Sequence, residues 1–170
     1  MRSPFPNLTS LGDAGPFVER MREVMDHIRL FEDFEAQELE SLARYMSCYL
    51  APADTEIIRE GETGDFMLLI IEGSVEIVKL DASGLPTRIG MAGPGKTLGE
   101  MSLVDGEPRF ASCIAVTDTL FAVLDRDNLS RIIADEPRIG VKILMELLML
   151  LNQRLRNVST DLVKLVGRKK

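Results

Sequence analysis

The spacing of hydrophobic positions changes along the chain, and the first stretch has the spacing of helices. Apolar residues recur at steps of three and four over Phe17–Ile28 and again over Leu39–Met46, which is typical of helices with one apolar face. We therefore predict N-terminal helices over residues 16–47. Residues 1–15 hold two prolines and two glycines and show no periodicity, so we predict a flexible terminus there.

From residue 48 the apolar residues gather in short, β-rich runs separated by glycine-containing turns. The runs are Cys48–Leu50, Glu56–Arg59, Phe66–Ile71, Val75–Leu80, Thr87–Met91, Ala111–Val116 and Leu120–Leu124. Many short strands without helices between them favour an antiparallel sandwich or barrel over a parallel sheet. We assign residues 48–125 to this unit.

Helical spacing returns over residues 126–170. A short helix is predicted at Asp127–Ala134, and Pro137 marks the start of a last helix that reaches about Val166. The last helix carries a seam with heptad spacing, made of Val141, Leu144, Leu148, Leu151, Leu155, Val158, Leu162 and Leu165. A second apolar row in its first half is made of Ile143, Leu147 and Leu150. A helix with two apolar faces needs two partners. We expect one face to pack on the strands of the same chain and the other on the last helix of a second subunit.

Composition and charge narrow the function classes. The 170 residues are 45% hydrophobic and 28% charged, which suits one globular domain, and the net charge of −7 does not favour nucleic acids. No apolar run has the length of a membrane span and no signal-peptide core is present, so we expect a cytoplasmic protein without a membrane partner. Two distant cysteines and a single histidine predict no metal site.

The candidate chemistry lies in residues 98–115, LGEMSLVDGEPRFASCIA. Gly99 allows close approach of a ligand to the backbone, and the amides at the start of a short helix attract an anion. Arg109 adds a planar cation suited to phosphate oxygens, and Glu100 adds an acceptor for a sugar hydroxyl. The stretch therefore suits a small phosphorylated sugar. The alternative is a surface ion pair between Glu100 and Arg109.

This stretch resembles the phosphate-binding cassette of the cyclic nucleotide-binding domain family, which the catabolite activator protein, the regulatory subunit of cAMP-dependent kinase and cyclic nucleotide-gated channels share. Gly99-Glu100, Pro108-Arg109 and Ala111-Ser112 match the family's residues, and Ile58 to Val78 match a second block. Phe110 differs from the family pattern, which usually has Ala, Ser or Thr at this position. The resemblance implies an α+β fold: an antiparallel β-roll (double-stranded jelly roll) flanked by N-terminal helices and a long C-terminal helix.

The resemblance also implies a ligand, cAMP with cGMP as the alternative, and no further cofactor. Its phosphate is expected at Gly99, at the amides that follow Glu100 and at Arg109, and its ribose 2′-hydroxyl at Glu100. The cassette residues Met101, Ser102, Phe110 and Ala111 are also expected to line the ligand site. The base is expected against Ile77, Ile89 and Ala92, under a lid from the last helix through Leu151, Arg154 or Leu155. We favour cAMP because Phe110 lacks the hydroxyl that helps a syn-guanine in the family.

Two functions follow from the resemblance. The first is a cyclic-nucleotide sensor whose lid helix moves on binding and is read by a second subunit or an unknown protein partner. The family's transcription factors carry a helix-turn-helix after this helix, and the sequence ends at Lys170, so we expect no DNA binding. The alternative is a degenerate domain, its pocket filled by Phe110, that acts as a ligand-free interaction or dimerisation module.

Two enzymatic interpretations compete with this one. Residues 90–97 fit the Walker A pattern G-x-x-x-x-G-K-T, and Leu120–Asp125 resembles a Walker B strand. A P-loop must lead into a sustained helix, yet Gly99, Gly106 and Pro108 follow, so we predict a glycine turn between strands with Lys96 in solvent. A cupin-like metal enzyme needs clustered histidines. Since no nucleophile–base pair stands out either, we predict that the protein is not an enzyme.

Overall fold

The structure is a computed structural model that describes residues 4–26 and 34–167, apart from the side chains of residues 25, 26 and 165. The strands are β1 (Thr9–Asp13), β2 (Ser47–Ala51), β3 (Glu56–Ile58), β4 (Phe66–Glu72), β5 (Val75–Leu80), β6 (Pro86–Ala92), β7 (Thr97–Leu98), β8 (Ser112–Ala115) and β9 (Thr119–Asp125). The helices are α1 (Val18–Asp26), α2 (Ala36–Arg44), α3 (Glu100–Asp105), α4 (Arg126–Asp135) and α5 (Pro137–Gly167). They confirm the predicted α+β fold, a β-roll flanked by N-terminal helices and a long C-terminal helix.

The strands form two antiparallel sheets, one ordered β1-β2-β9-β4-β7 and the other β3-β8-β5-β6. One core cluster joins the two sheets, and a second joins the first sheet to the helices. Strand β4 lies between these clusters, and Phe66–Ile71 is buried on both faces. This explains why β4 is a continuous apolar run rather than an alternating one.

The N-terminal segment is more ordered than predicted. Strand β1 pairs with β2, and Phe5 is buried, with its ring centroid 5.1 Å from that of Tyr49, 5.0 Å from that of Phe66 and 5.5 Å from that of Phe121. The prediction of a flexible terminus over residues 1–15 is therefore wrong from Pro4 onward. Aromatic packing against distant strands orders this segment, and local periodicity does not report such contacts.

The other predicted elements agree with the structure apart from a few residues at their ends. The first helix begins at Val18, after a 3₁₀ turn over Gly15–Phe17, while its predicted end at Ile28 lies outside the described residues. The two-residue strand β7 was not predicted, because a run of two residues carries no periodic signal.

Helix α5 has two apolar faces, as predicted. Ile139, Ile143 and Leu147 are buried in the core between the helices and the first sheet. On the seam, Leu155, Val158 and Leu162 are 60–65% exposed in the single chain. One face of α5 therefore packs on its own domain, and these three seam residues stay uncovered in this chain.

Candidate functional site

The predicted cassette folds as the end of β7, the short helix α3 and the strand β8. Gly99 precedes α3 with φ +82°, and a Cβ there would lie 2.6 Å from Nη1 of Arg109 and 2.9 Å from the carbonyl oxygen of Phe66. A side chain is thus excluded both by the left-handed backbone and by the arginine. Gly99 places the start of α3 directly against Arg109.

Arg109 is buried beneath the start of α3, with only 5% of its surface exposed. Its Nη1 donates to the carbonyl oxygens of Phe66 (2.8 Å) and Gly99 (3.0 Å), and its guanidinium lies 4.1 Å from the centroid of the Phe66 ring. Its Nη2 has no hydrogen-bond partner among the described residues. Burial lowers the pKa of Arg109 from its ordinary value, but arginine stays protonated at any physiological pH. Arg109 is therefore a buried cation whose Nη2 can still donate hydrogen bonds.

Glu100, the first residue of α3, is 1% exposed. Its Oε1 accepts a hydrogen bond from Nη1 of Arg154 on α5, and Nη2 of Arg154 donates to the carbonyl oxygen of Thr97 at 2.8 Å. Its Oε2 has no partner in the described part of the chain. The alternative of a surface ion pair between Glu100 and Arg109 is wrong, because both side chains are buried and Glu100 pairs with Arg154 instead.

One pocket collects these groups. It is lined by Ile58, Gly99, Glu100, Met101, Ser102, Arg109, Phe110, Ala111, Cys113 and Arg154. The lining combines a buried cation, a buried carboxylate and apolar side chains. Such a pocket suits a ligand that carries an anion, a hydroxyl group and an apolar part.

The sequence matches the model of a known protein family. The family model described as "Cyclic nucleotide-binding domain" matches residues 50–136, which include strands β3 to β9, the cassette and α4. The chain belongs to the cyclic nucleotide-binding domain family.

Solved and curated members of the family resemble the chain over most of its length. A crystal structure of a cyclic nucleotide-binding domain from Methylobacillus flagellatus has a TM-score of 0.83 and 41% identity, covering 92% of this chain and 88% of that one. The Thermus thermophilus catabolite activator protein has a TM-score of 0.71 and 29% identity, covering 81% of this chain and 62% of that one. The CRP-like cAMP-activated global transcriptional regulator of Mycobacterium tuberculosis is 30% identical over 86% of this chain and 63% of its own length. The chain thus spans about three fifths of these two longer relatives.

The domain brings most of the predicted site residues together. Gly99, Glu100, Met101, Ser102, Arg109, Phe110, Ala111 and Arg154 all line the pocket. The four others, Ile77, Ile89, Ala92 and Leu151, are not part of the lining. Arg154 is therefore the predicted residue through which α5 reaches the pocket.

The residues predicted to form the base wall have different surroundings. Ala92 is buried in the core between the sheets, and Ile77 packs against that core. Ile89 is the unpaired residue of a β-bulge, because Gly90 pairs with Ile77 and Arg88 pairs with Val78, and it is 53% exposed. A bulge turns its side chain away from the regular alternation of the strand, so the alternation of apolar residues does not give its orientation.

Two pocket residues were missed by sequence reasoning. Ile58 pairs with Cys113 across β3 and β8, so their side chains lie side by side on one face. Burial raises the pKa of the Cys113 thiol to about 12, so it is neutral at pH 7 and forms part of the apolar wall. Only the strand register shows that these two residues meet, although 55 positions separate them in sequence.

The Walker-like segment has no P-loop geometry in this domain. Residues 93–96 form a turn between β6 and β7, with Lys96 exposed and the amide of Gly95 donating to the carbonyl oxygen of Ile70 at 2.7 Å. The next helix, α3, has six residues. The predicted glycine turn is confirmed, because a P-loop needs a sustained helix directly after its lysine and threonine.

Residues 4–26 and 34–167 contain neither a metal-binding cluster nor a membrane-spanning helix. There, no three His, Cys, Asp or Glu side chains come close enough to hold a metal ion. No helix in these ranges combines the length and apolar character of a membrane span.

Proposed function

We propose that this domain is a cyclic-nucleotide sensor that binds cAMP at the pocket between α3 and α5. The observation that carries the proposal is a pair of buried polar atoms in one pocket, Nη2 of Arg109 and Oε2 of Glu100, that lack partners among the described residues. Buried polar groups are nearly always hydrogen-bonded, so both atoms favour a ligand that supplies an acceptor and a donor. A cyclic nucleotide carries its phosphate next to the ribose 2′-hydroxyl and supplies both.

The phosphate is assigned to Arg109 and to the start of α3. The first amides of a helix have no acceptor within it, and Gly99 has no side chain that would cover them. Ser102 and Ala111 line the same pocket. Because Arg109 is desolvated, its attraction for an anion is stronger than that of a surface arginine.

The ribose is assigned to Glu100, whose Oε2 accepts the 2′-hydroxyl while Oε1 stays on Arg154. We prefer cAMP to cGMP for two reasons. Phe110 has no hydroxyl for the amino group of guanine, and the M. tuberculosis relative is named as cAMP-activated.

The signal is assigned to α5. Glu100 in the pocket and Arg154 on α5 are hydrogen-bonded, so a ligand that engages Glu100 alters the contact that holds the helix. A ligand shifts such an equilibrium only by binding one helix position better than the other. The exposed seam of α5 would pair with that of a second subunit, and the helix position would be read by this subunit or by a downstream protein partner.

Calorimetric titration with cAMP, cGMP and a cyclic dinucleotide tests the assignment. We expect wild-type protein to bind cAMP, and Arg109→Ala to weaken binding by about 2–5 kcal/mol because the phosphate loses a buried partner. Arg88→Ala, which removes an exposed arginine on β6, is the matched control and should bind as wild type. Equal binding by wild type and Arg109→Ala contradicts the site, and no binding of any nucleotide favours the ligand-free interaction module.

A second titration tests the role of Glu100. We expect 2′-deoxy-cAMP to bind wild type less tightly than cAMP does, because Oε2 then stays without a donor. In Glu100→Gln the difference between the two ligands should shrink. An unchanged difference means that another group contacts the ribose.

A further inference from the structure

The pocket has a buried polar part and an exposed aromatic edge. The apolar residues Ile58, Ala111 and Cys113 are buried in its wall, whereas Phe110 is 55% exposed. An aromatic ring at the edge of a pocket presents a flat apolar face to whatever occupies it. The sequence places this ring directly after the buried cation Arg109.

Lys79 on β5 contacts both the ring and the backbone of Phe110. Nζ of Lys79 lies 4.4 Å from the ring centroid and donates both to the carbonyl oxygen of Phe110 and to Oε1 of Glu60, each at 2.7 Å. Glu60 is fixed in turn, because its Oε2 accepts from the amide of Leu80 at 2.9 Å and its own amide donates to Oγ of Ser112 at 3.0 Å. The ring is thus positioned before any ligand arrives, which lowers the entropic cost of a contact with it.

We propose that Phe110 is the stacking platform for the nucleobase. This inference rests on the proposed function, which places the phosphate at Arg109 and the ribose at Glu100. With those groups held in the buried part of the pocket, the base extends toward the exposed edge and lies against the ring. Stacking grows with the area of the two flat faces, so the contact is larger for a purine than for a pyrimidine, and stacking by itself does not distinguish adenine from guanine.

The platform also gives Phe110 a role different from those expected from the sequence. A ring that filled the pocket would be buried by it, yet more than half of Phe110 is exposed. The aromatic residue at this position then replaces a hydrogen bond to the base by a stacking contact. The contact at Phe110 then depends on the shape of the base rather than on its exocyclic groups.

Calorimetry on variants of Phe110 tests the platform. With cAMP as a purine ligand and cCMP as a pyrimidine ligand, wild type should prefer cAMP. Phe110→Leu keeps an apolar side chain but removes the flat face, so it should weaken cAMP binding by about tenfold or more and narrow the preference over cCMP. Phe110→Tyr keeps the ring and is the matched control, with both affinities close to those of wild type.

A fluorescence experiment reports the contact directly. The chain has no tryptophan, so Phe110→Trp introduces a single indole whose emission a stacked purine should quench. Leu85→Trp places the same reporter at a 63% exposed position in the turn between β5 and β6, and should show no quenching. The midpoint of quenching in Phe110→Trp should match its calorimetric Kd for cAMP.

The outcomes separate the two proposals. If wild type binds no cyclic nucleotide, the proposed function fails and the platform fails with it. If wild type binds cAMP and Arg109→Ala does not, but Phe110→Leu binds cAMP as tightly as wild type or more tightly, only the platform is overturned. The platform alone is also overturned if Phe110→Trp binds cAMP without a change in emission. This measurement does not depend on Phe110→Leu, so it tests the platform even if that variant fails to fold.

Discussion

Glu100 accepts a hydrogen bond from Arg154 through Oε1, while its second oxygen, Oε2, has no partner in the described part of the chain. The contact joins a buried carboxylate on α3 to a guanidinium on α5 whose side chain is 42% exposed. Arg154 also donates to the carbonyl oxygen of Thr97 on β7. A single side chain therefore ties the C-terminal helix to the strand and the helix that build the pocket.

The first prediction concerns this tie. Arg154→Met keeps an apolar stem in place of the arginine's aliphatic part but leaves Glu100 buried without a counter-charge, so we expect the free energy of unfolding to fall by about 1–3 kcal/mol. The loss should be smaller than for a fully buried pair, because solvent reaches the arginine. Arg156→Met, at an exposed position on α5, is the control. Urea unfolding of both variants measures the effect, and equal stabilities would show that the contact contributes nothing.

The second prediction separates backbone strain from contact with Arg109. Gly99 and Gly84 both have positive φ, +82° and +79°, but a Cβ meets atoms within 4 Å only at Gly99. Gly84→Ala should cost about 1–2 kcal/mol of stability from the left-handed backbone alone. Gly99→Ala should cost more, and it should also abolish cAMP binding because the new methyl group displaces Nη1 of Arg109. Thermal unfolding and calorimetry measure the two effects, and an equal loss in both variants contradicts the steric argument.

The third prediction is a pH dependence of stability. Burial raises the pKa of Cys48 from about 9 to about 12, with a smaller contribution from the charge of Asp13. Between these pH values the unfolded thiol loses its proton and the folded thiol keeps it. The contribution of Cys48 to stability is therefore fully present below pH 9 and is lost as the pH rises toward about 12. The contribution of Cys48 to this slope approaches about 1.4 kcal/mol per pH unit.

Cys48→Ala should remove that contribution. Val123→Ala shortens another buried side chain of the same sheet without removing an ionisable group, so it should keep the wild-type slope. Urea unfolding from pH 8 to pH 11 gives the slopes. If Cys48→Ala and wild type lose stability in parallel, the thiol is not the group that titrates.

The fourth prediction is a homodimer through the seam of α5. Each buried leucine is worth about 1.5–3 kcal/mol, and Leu155 and Leu162 are both at least 60% exposed in the single chain. Leu155→Glu/Leu162→Glu should shift the protein from dimer to monomer in sedimentation velocity. Gln153→Glu adds a charge on the face of α5 away from the seam and should leave the dimer intact. A wild-type protein that sediments as a monomer at micromolar concentration contradicts the prediction.

Much of the fold and the centre of the pocket could be predicted from sequence because the signals are local. The period of apolar residues placed the strands of the roll and α5, since that period depends only on neighbouring side chains. Gly99, Glu100 and Arg109 were found for the same reason: they lie on one short segment, and their residue types already suit an anion and a hydroxyl.

The tertiary structure alone decided which distant side chains meet. Arg154 is the partner of Glu100 across 54 positions, Ile58 and Cys113 form a wall through strand register, and Phe5 packs on the rings of three separate strands. These contacts depend on how the sheets and helices pack, and no local period or motif encodes that packing. The sequence by itself therefore determined the elements and the cassette, while long-range packing decided the partner of the carboxylate, the wall of the pocket and the order of the N-terminal segment.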